Sequence, residues 1–469
     1  MKVMYVQEGA LRAVLPSPMQ AQATKGEFAS QSRCQRALPP WIAALTVLVS
    51  ALPAHASEGP YSVLQRLSDV LVYIEESYVD PIDRSRLLEG ATAGMVAELD
   101  PHSAYLNPAQ FSEFLEDTQG EFAGLGVEVD FREDRVTVIA TMPNSPAEAA
   151  GLRSGDRIVA VDSVPITGIR AEAIIRRMRG AAGTKVRLTV RREGVAEPIQ
   201  LTVTRAMVSV PSVEGKLLDG NVAYVRLKSF QEGCYVELIE RIAELNRSKH
   251  LSGIILDLRG NPGGLVSEAV AIADEFLDRG VIYSARHRGK VVETVESKSG
   301  GLLLNQPLVV LVGASTASSA EIVAGAWQDR GRATLVGEPT FGKGSVQNVI
   351  ELRGGAGLLL TTLRYFTPNG RAIQARGLIP DIIVKSNDAR PTLREADISG
   401  HLQTEGATPE ERLGRSEKNE AELAARDEPD KNPTPPERTP LASVPSNPSR
   451  GGDPVLAKGY TVLLARVAR

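Results

Sequence analysis

Two short segments of this chain hold residues suited to acyl transfer: Ser315-Thr316-Ala317-Ser318-Ser319-Ala320-Glu321-Ile322 and Gly337-Glu338-Pro339-Thr340-Phe341-Gly342-Lys343-Gly344-Ser345-Val346-Gln347. A serine on a small-residue turn, facing a lysine held among glycines, makes a nucleophile and its base without histidine. Ser318 and Lys343, 25 positions apart, are that pair. A lysine with the ordinary pKa near ~10.4 cannot accept a proton at neutral pH, so such a base must be desolvated until its pKa falls to about 7 to 8. Ser318 Oγ would then attack a carbonyl carbon, and water activated by Lys343 would release the acyl-enzyme.

The same residues have ordinary readings. Serine is a common N-cap, so Ser315, Thr316, Ser318 and Ser319 could all be capping or turn residues. Gly337-x-x-x-x-Gly342-Lys343 approaches a phosphate-binding loop, but Gly344 stands where a magnesium-binding Ser or Thr is required. A Ser-His-Asp triad is disfavoured because His55, His102, His250, His287 and His401 lie in the leader, loops, polar segments or tail. Gly313-Ala314-Ser315-Thr316-Ala317 also ends in alanine and fails the nucleophile-elbow pattern. No metal-ligand cluster such as H-E-x-x-H appears. The expectation is therefore no metal and no cofactor.

The elements around these segments alternate buried strands with helices: Gly253 to Leu258, a helix near Leu265 to Arg279, then Leu308 to Val312. Continuous apolar strands separated by helices predict α/β layering with a largely parallel sheet, whose active sites gather beyond the carboxyl ends of the strands. Two features sit at that edge. Asp257-Leu258-Arg259-Gly260-Asn261-Pro262-Gly263-Gly264 leaves backbone N–H groups uncovered by side chains, a way to stabilise an oxyanion. Gly313 to Glu321 follows an apolar strand and opens a helix with apolar Ile322, Val323, Ala326 and Trp327, where free N–H groups favour negative charge.

Earlier in the chain, Tyr61, Leu64, Leu67, Val70, Leu71 and Ile74 have helical spacing, and Leu87 to Leu99 reads as a second helix. Val136 to Ile139 and Val186 to Val190 alternate as short strands, with a helix over Ala171 to Arg179 between them. In this second unit Gly124-Leu125-Gly126-Val127, Ser145-Pro146-Ala147-Glu148 and Gly151-Leu152-Arg153-Ser154-Gly155-Asp156-Arg157-Ile158 resemble, in that order, a PDZ domain of the bacterial protease type. The glycines let loop N–H groups converge on an anion, which suits capture of a terminal carboxylate. Leu125, Val127, Ile174 and Met178 could build an apolar groove or simply fill a small core.

The 469 residues suffice for two or three domains, and 42% hydrophobic content is ordinary for a soluble protein. A formal charge of −4 with mixed signs provides no basic stripe for nucleic acid. Arg33 and Arg36 precede the 12-residue apolar run Trp41 to Leu52 and Ala54-His55-Ala56, which together read as an export leader over residues 1–56, with translation able to begin at Met19. Its run is too short to span a bilayer. Cys34 falls in the leader, which leaves Cys234 unable to form an intrachain disulfide, and with no histidine beside it in sequence it reads as structural. No aromatic residue occurs from Thr367 to Gly459, and 10 of the 29 prolines lie between Ser386 and Pro454. Residues 386–469 therefore read as a disordered Pro- and charge-rich tail, with Val455 to Arg469, apolar and basic, either a docking segment or, preferably, a frayed terminus.

From Tyr61 to Val384 the chain resembles the carboxyl-terminal processing peptidases, or tail-specific proteases, serine peptidases with an embedded PDZ domain. Asp100-Pro101-His102-Ser103-Ala104-Tyr105-Leu106, the PDZ loop, Asp257 to Gly264, Ser318 to Ile322, Gly337 to Gln347 and Thr361 to Gly370 carry the resemblance. It implies a Clp-protease/crotonase-like α/β sandwich core with a mostly β PDZ domain and an N-terminal helical region. The implied domains are 57–120 (helical), 121–206 (PDZ) and 207–385 (peptidase).

The resemblance makes Ser318 the nucleophile, Lys343 its general base and Gln347 the partner that orients the lysine. Ser319 stands where the family usually has alanine and Ala320 where it has serine, so Ser319 is the alternative nucleophile. The resemblance also places the oxyanion hole at the N–H of Ser319 with that of Gly263 or Gly264, gives Asp257, Arg259 and Glu321 supporting roles, and assigns Gly124 to Val127 to peptide binding. The implied function is endopeptidase cleavage of exported, periplasmic polypeptides recognised by free apolar carboxyl termini. An adaptor protein, inner-membrane association through an uncleaved leader and oligomerisation are left open. The alternative is a catalytically silent PDZ scaffold.

Overall fold

The structure, a computed structural model, describes residues 60–132, 135–387, 393–405 and 440–468. The expected leader, and residues 388–392 and 406–439 of the expected tail, lie outside the described residues. The chain divides into a smaller compact unit within residues 7–92 and a larger one from Ala93 onward. In the smaller unit, helix Pro60–Ser77 covers the predicted stripe, yet Leu64, Leu67 and Val70 are exposed. The helix Arg84–Ala97 leads from this unit into the larger one.

The larger unit is built on a six-stranded sheet in the order Val213–Leu218, Val222–Leu227, Gly253–Asp257, Leu308–Val312, Thr334–Gly337, Ile382–Ile383. Its first pair is antiparallel and the rest are parallel. Every residue of Gly253–Asp257 and Leu308–Val312 is buried, as continuous apolar runs require in a sheet covered on both faces. The two-residue period divides them. Ile254, Leu256 and Val310 pack with Leu238, Ile272, Val323 and Trp327 of the helices Cys234–Ser248, Val266–Glu275 and Ser319–Asp329. Ile255, Val309 and Leu311 point the other way, into a second cluster with Val455, Leu456, Tyr460 and Leu463.

That second cluster corrects the expectation of a wholly disordered tail. Pro454–Val467 is a helix lying across the parallel sheet, capped by Asp453, whose carboxylate accepts the N–H groups of Val455 (3.1 Å) and Leu456 (3.0 Å). A segment this short has little helicity alone, so its stability comes from a sheet face that composition does not reveal.

A second, antiparallel sheet runs Ala104–Leu106, Gly357–Phe366, Gly280–His287, Lys290–Ser297, with Ser345–Glu351 also pairing with Gly357–Phe366. It was not foreseen as a sheet. Its register sets Gln347 opposite Thr361 and Ala104 opposite Leu359, so strands more than 250 residues apart in sequence share one edge of the site.

The β-rich insertion enters through Glu121–Gly124 and leaves through Ala206–Ser209, which pair as a two-stranded ribbon. Between them a six-stranded antiparallel sheet surrounds its own core of Leu125, Val138, Ile158, Ile174, Met178 and Val186, among others. The strands Arg135–Thr141 and Lys185–Arg191 cover the predicted segments, and the helix Ala171–Met178 stops one residue short of its predicted end at Arg179.

Candidate active site

Three loops leave the carboxyl ends of three parallel strands that neighbour one another: Leu258 onward after Asp257, Gly313 onward after Val312, and Glu338 onward after Gly337. They carry the expected glycine run, serine turn and lysine.

Ser318 is fully buried at the N-cap of helix Ser319–Asp329 with φ 56° and ψ −119°. A non-glycine residue in such a conformation costs about 1–3 kcal/mol and is held only where its surroundings over-determine it. Its hydroxyl makes no cap hydrogen bond, and Oγ has no partner at all. The neighbouring hydroxyls are committed: Ser319 Oγ donates to the carbonyl of Gly264 at 2.8 Å, and Thr316 Oγ1 donates to that of Leu258 at 2.8 Å. Of these three, Ser318 alone keeps an uncommitted oxygen.

Glu321, one turn into the helix, is completely buried and binds both loops. Oε2 accepts the N–H of Ser318 (2.9 Å) and the N–H of Lys343 (2.9 Å), while Oε1 accepts the N–H of Gly342 (2.8 Å) and the hydroxyl of Thr340. Burial pushes its pKa up from 4.5 to about 7, against the pull of these four donors, which favour the carboxylate. Lys343 is 4% exposed and Gln347 2% exposed. The amide nitrogen of Gln347 donates to Ser345 Oγ and Thr361 Oγ1, both at 3.1 Å, and its Oε1 is buried without a partner.

The glycine run lies directly against the serine turn. A Cβ on Gly263, whose φ is +100°, would stand 2.9 Å from the carbonyl oxygen of Ala317, 2.9 Å from Ser318 Cβ and 3.0 Å from Ser319 N, so only glycine fits. The N–H of Gly263 donates to Asn261 Oδ1 at 2.8 Å, a commitment not foreseen from sequence. Beside the run, a cavity of about 320 Å³ is lined by Phe114, Phe122, Phe230, Gly263, Gly264 and Leu265, with Glu116, Asp117 and Glu121 at its polar side.

Buried Asp257 and half-buried Arg259 form an ion pair behind this loop. Burial would raise the Asp257 carboxyl, but the Arg259 guanidinium, bonded through Nε (3.0 Å) and Nη2 (2.7 Å), holds it below its usual range, helped by Arg226 and the hydroxyl of Tyr224 at 2.7 Å. Arg259 also bonds Asp453 at 3.0 and 2.8 Å, which ties the C-terminal helix to the strand end before the glycine run. Cys234 is buried, and burial together with Glu268 keeps its thiol protonated, as a structural cysteine requires.

Sequence reasoning missed the residues behind the lysine. His102 Nε2 lies 2.8 Å from Glu395 Oε2, Gln374 Nε2 donates to Glu395 Oε1 at 2.8 Å, and Gln374 Oε1 accepts the N–H of Gly344 at 3.0 Å. A Cβ on Gly344 would stand 2.5 Å from Gln374 N, which accounts for glycine there. The signal was present in Asp100-Pro101-His102-Ser103, which had no role assigned. The loop Gly124 to Val127 belongs to the separate β-rich insertion. There Leu125, Ile174 and Met178 are 2%, 3% and 7% exposed, members of its core, with Val127 packed partly buried against them.

Comparison with known proteins agrees with this architecture. Residues 221–384 match Peptidase family S41, residues 137–192 match a PDZ domain, and residues 47–109 match the Activating protease CtpB N-terminal domain. The carboxy-terminal-processing protease of Bartonella bacilliformis is 36% identical over 371 residues, covering 77% of this chain and 85% of that protein. The carboxy-terminal processing protease CtpA of Bacillus subtilis is 33% identical over 329 residues, covering 70% of each. A solved photosystem II D1 C-terminal processing protease shares 29% identity over 75% of this chain and 94% of that one, with a TM-score of 0.44. With its α/β core, embedded PDZ domain and N-terminal helices, the chain belongs to the carboxy-terminal processing proteases, serine-type peptidases of family S41.

Proposed function

We propose that the chain is an endopeptidase with a Ser318/Lys343 dyad, Gln347 orienting the lysine, acting on exported polypeptides whose apolar carboxyl termini dock on the PDZ domain. The observation that carries this is Ser318 itself: a strained, buried serine whose Oγ lacks any partner, on a turn that Glu321 joins to the lysine loop. Strain held at a nucleophile by its surroundings is a recurrent device for aiming it. The burial of Lys343 supplies the low-dielectric surroundings its role needs. Ser319, with Oγ bonded to Gly264, contributes its N–H to the oxyanion hole rather than its hydroxyl to attack.

Ser318, Lys343 and Gln347 are all buried, so a peptide reaches them only after neighbouring segments move aside. For Gly263 to serve as an oxyanion donor its N–H must leave Asn261, a rearrangement that substrate entry along the adjoining cavity would accompany. Residues 121–206 act as the tail-reading domain and 207–385 as the catalytic core. Binding of a tail favours the active arrangement through differential affinity for the two states. Export by the leader would place the enzyme in the periplasm.

The deciding experiment is cleavage of an unfolded reporter ending in an apolar residue by residues 57–469, compared with Ser318→Ala, Ser319→Ala and Lys343→Ala. Loss in the first and third with retention in the second is expected. Loss with Ser319→Ala alone would move the nucleophile by one residue, and undiminished cleavage by Ser318→Ala and Lys343→Ala would end the dyad reading.

A further inference from the structure

The turn Asp100-Pro101-His102-Ser103 has a role in the site that none of its own residues performs directly, and the inference rests on Gln347 acting beside Lys343. Asp100 is 7% exposed. Its Oδ1 accepts the N–H groups of His102 and Ser103, each at 2.8 Å, and its Oδ2 accepts the hydroxyl of Ser103 at 2.8 Å. Thr361 Oγ1 lies 3.1 Å from Asp100 Oδ1 and 3.1 Å from Gln347 Nε2. Ser103 Oγ in turn accepts the N–H of Thr361 at 3.1 Å, which fixes that strand against the turn.

Donor counting gives every bond in this chain a direction. Thr361 Oγ1 lies 3.3 Å from Ser103 Oγ and 3.1 Å from the Asp100 carboxylate, which only accepts, so the shorter and charge-assisted contact takes the proton of Thr361 to Asp100. The oxygen of Thr361 must then accept, and Gln347 has to meet it with N–H. Shape alone does not distinguish the two ends of a glutamine amide; its hydrogen-bond partners do. With Ser345 Oγ taking the other N–H, both donors of Gln347 are committed on one side, and its carbonyl oxygen is left buried and unpartnered on the other.

We propose that Asp100, acting through Thr361, is a positioning residue that fixes the amide of Gln347 with its oxygen, and not its nitrogen, offered to the catalytic lysine. A protonated lysine is a donor only, so an acceptor orients it, whereas a reversed amide would present N–H groups. The same turn steadies the other side of the lysine through His102, Glu395 and Gln374 to the N–H of Gly344.

The test is steady-state cleavage of the unfolded reporter by the full chain, with kcat, KM, pH profile and melting temperature measured for Asp100→Ala, Thr361→Val, Thr361→Ser and the Asp100→Ala/Thr361→Val double variant, with Ser318→Ala alongside. Removing the Asp100 carboxylate takes away the acceptor of the threonine proton, which is then free to invert the glutamine; kcat should fall ~10- to 100-fold with KM changed by less than about 2-fold. Thr361→Val removes the oxygen that holds the glutamine N–H and should lose a similar factor, whereas Thr361→Ser keeps the hydroxyl and the activity. Both losses act through one amide, so the loss in the double variant should be at least ~10-fold smaller than the product of the single losses.

Multiplicative losses, or full activity in Asp100→Ala or Thr361→Val, would overturn the proposal. Should Asp100→Ala fail to fold, Thr361→Val and Thr361→Ser carry the test alone: kcat lost in the first and kept in the second is expected, and full activity in Thr361→Val overturns it. Retained cleavage in Ser318→Ala would overturn the dyad and this proposal together, whereas an inactive Ser318→Ala beside multiplicative losses would overturn the positioning role alone.

Discussion

The backbone N–H groups of Ser318 and Lys343 donate to one and the same atom, Oε2 of Glu321, each at 2.9 Å. Two loops from neighbouring strands are thereby joined by a single carboxylate, and the serine and lysine loops share one anchor. Glu321→Gln replaces one oxygen with an NH2 group that must face donors, so at least one of the four contacts is lost. A fall in kcat of ~10- to 100-fold with little change in KM is expected. Glu321→Ala, which strands buried donors, should also lower stability by about 3–5 kcal/mol in denaturant titration.

Glu321 also predicts opposite pH trends for stability and activity. Its folded-state pKa, raised by burial to about 7 from 4.5, means that its contribution to stability is fully present below the unfolded value and is lost as pH rises through about 7. The contribution is on the order of 3 kcal/mol. The four-donor clamp, however, needs the carboxylate, so activity should increase with pH through the same window. Melting temperatures and kcat measured from pH 4 to 9 check both trends, and Glu321→Gln should flatten this part of the stability profile.

Strain at Ser318 predicts a trade between stability and function. Ser318→Gly removes the Cβ that φ 56° disfavours, so the variant should be inactive yet more stable by about 1 kcal/mol. Ser319→Ala, which removes the bond to Gly264, should instead lose about 1 kcal/mol in urea unfolding.

The C-terminal helix should behave as part of the core. A Cβ at Gly459 would approach Leu311 Cδ2 to 2.6 Å, so Gly459→Val should lift the helix and cost about 1–3 kcal/mol. Thr461→Ala, at an exposed position of the same helix, should change the melting temperature little.

What could be read in advance followed from local rules. Apolar periodicity and continuous runs located Gly253–Asp257 and Leu308–Val312, two strands of the insertion and some of the helices, and the serine and lysine segments stood out because few residue patterns build a nucleophile and base without histidine. Glu321 was visible three positions after Ser318 only as a supporting residue; its four contacts depend on where the loop after Gly337 lies. The turn at Asp100 was visible as a motif without a task, since Thr361 meets it only through the antiparallel sheet. The C-terminal helix had too weak an apolar pattern to be recognised without the sheet face it covers.

By itself, the amino-acid order determined several strand and helix segments, the family resemblance and the candidate dyad, because each rests on contacts within a few residues or on spacing along the chain. Tertiary structure decided the state of each hydroxyl at the serine turn, the orientation of the Gln347 amide, and the capture of Arg259 by Asp453. Those outcomes depend on hydrogen-bond partners contributed by distant segments, and a donor's or acceptor's commitment exists only once the fold has brought its partner within about 3 Å.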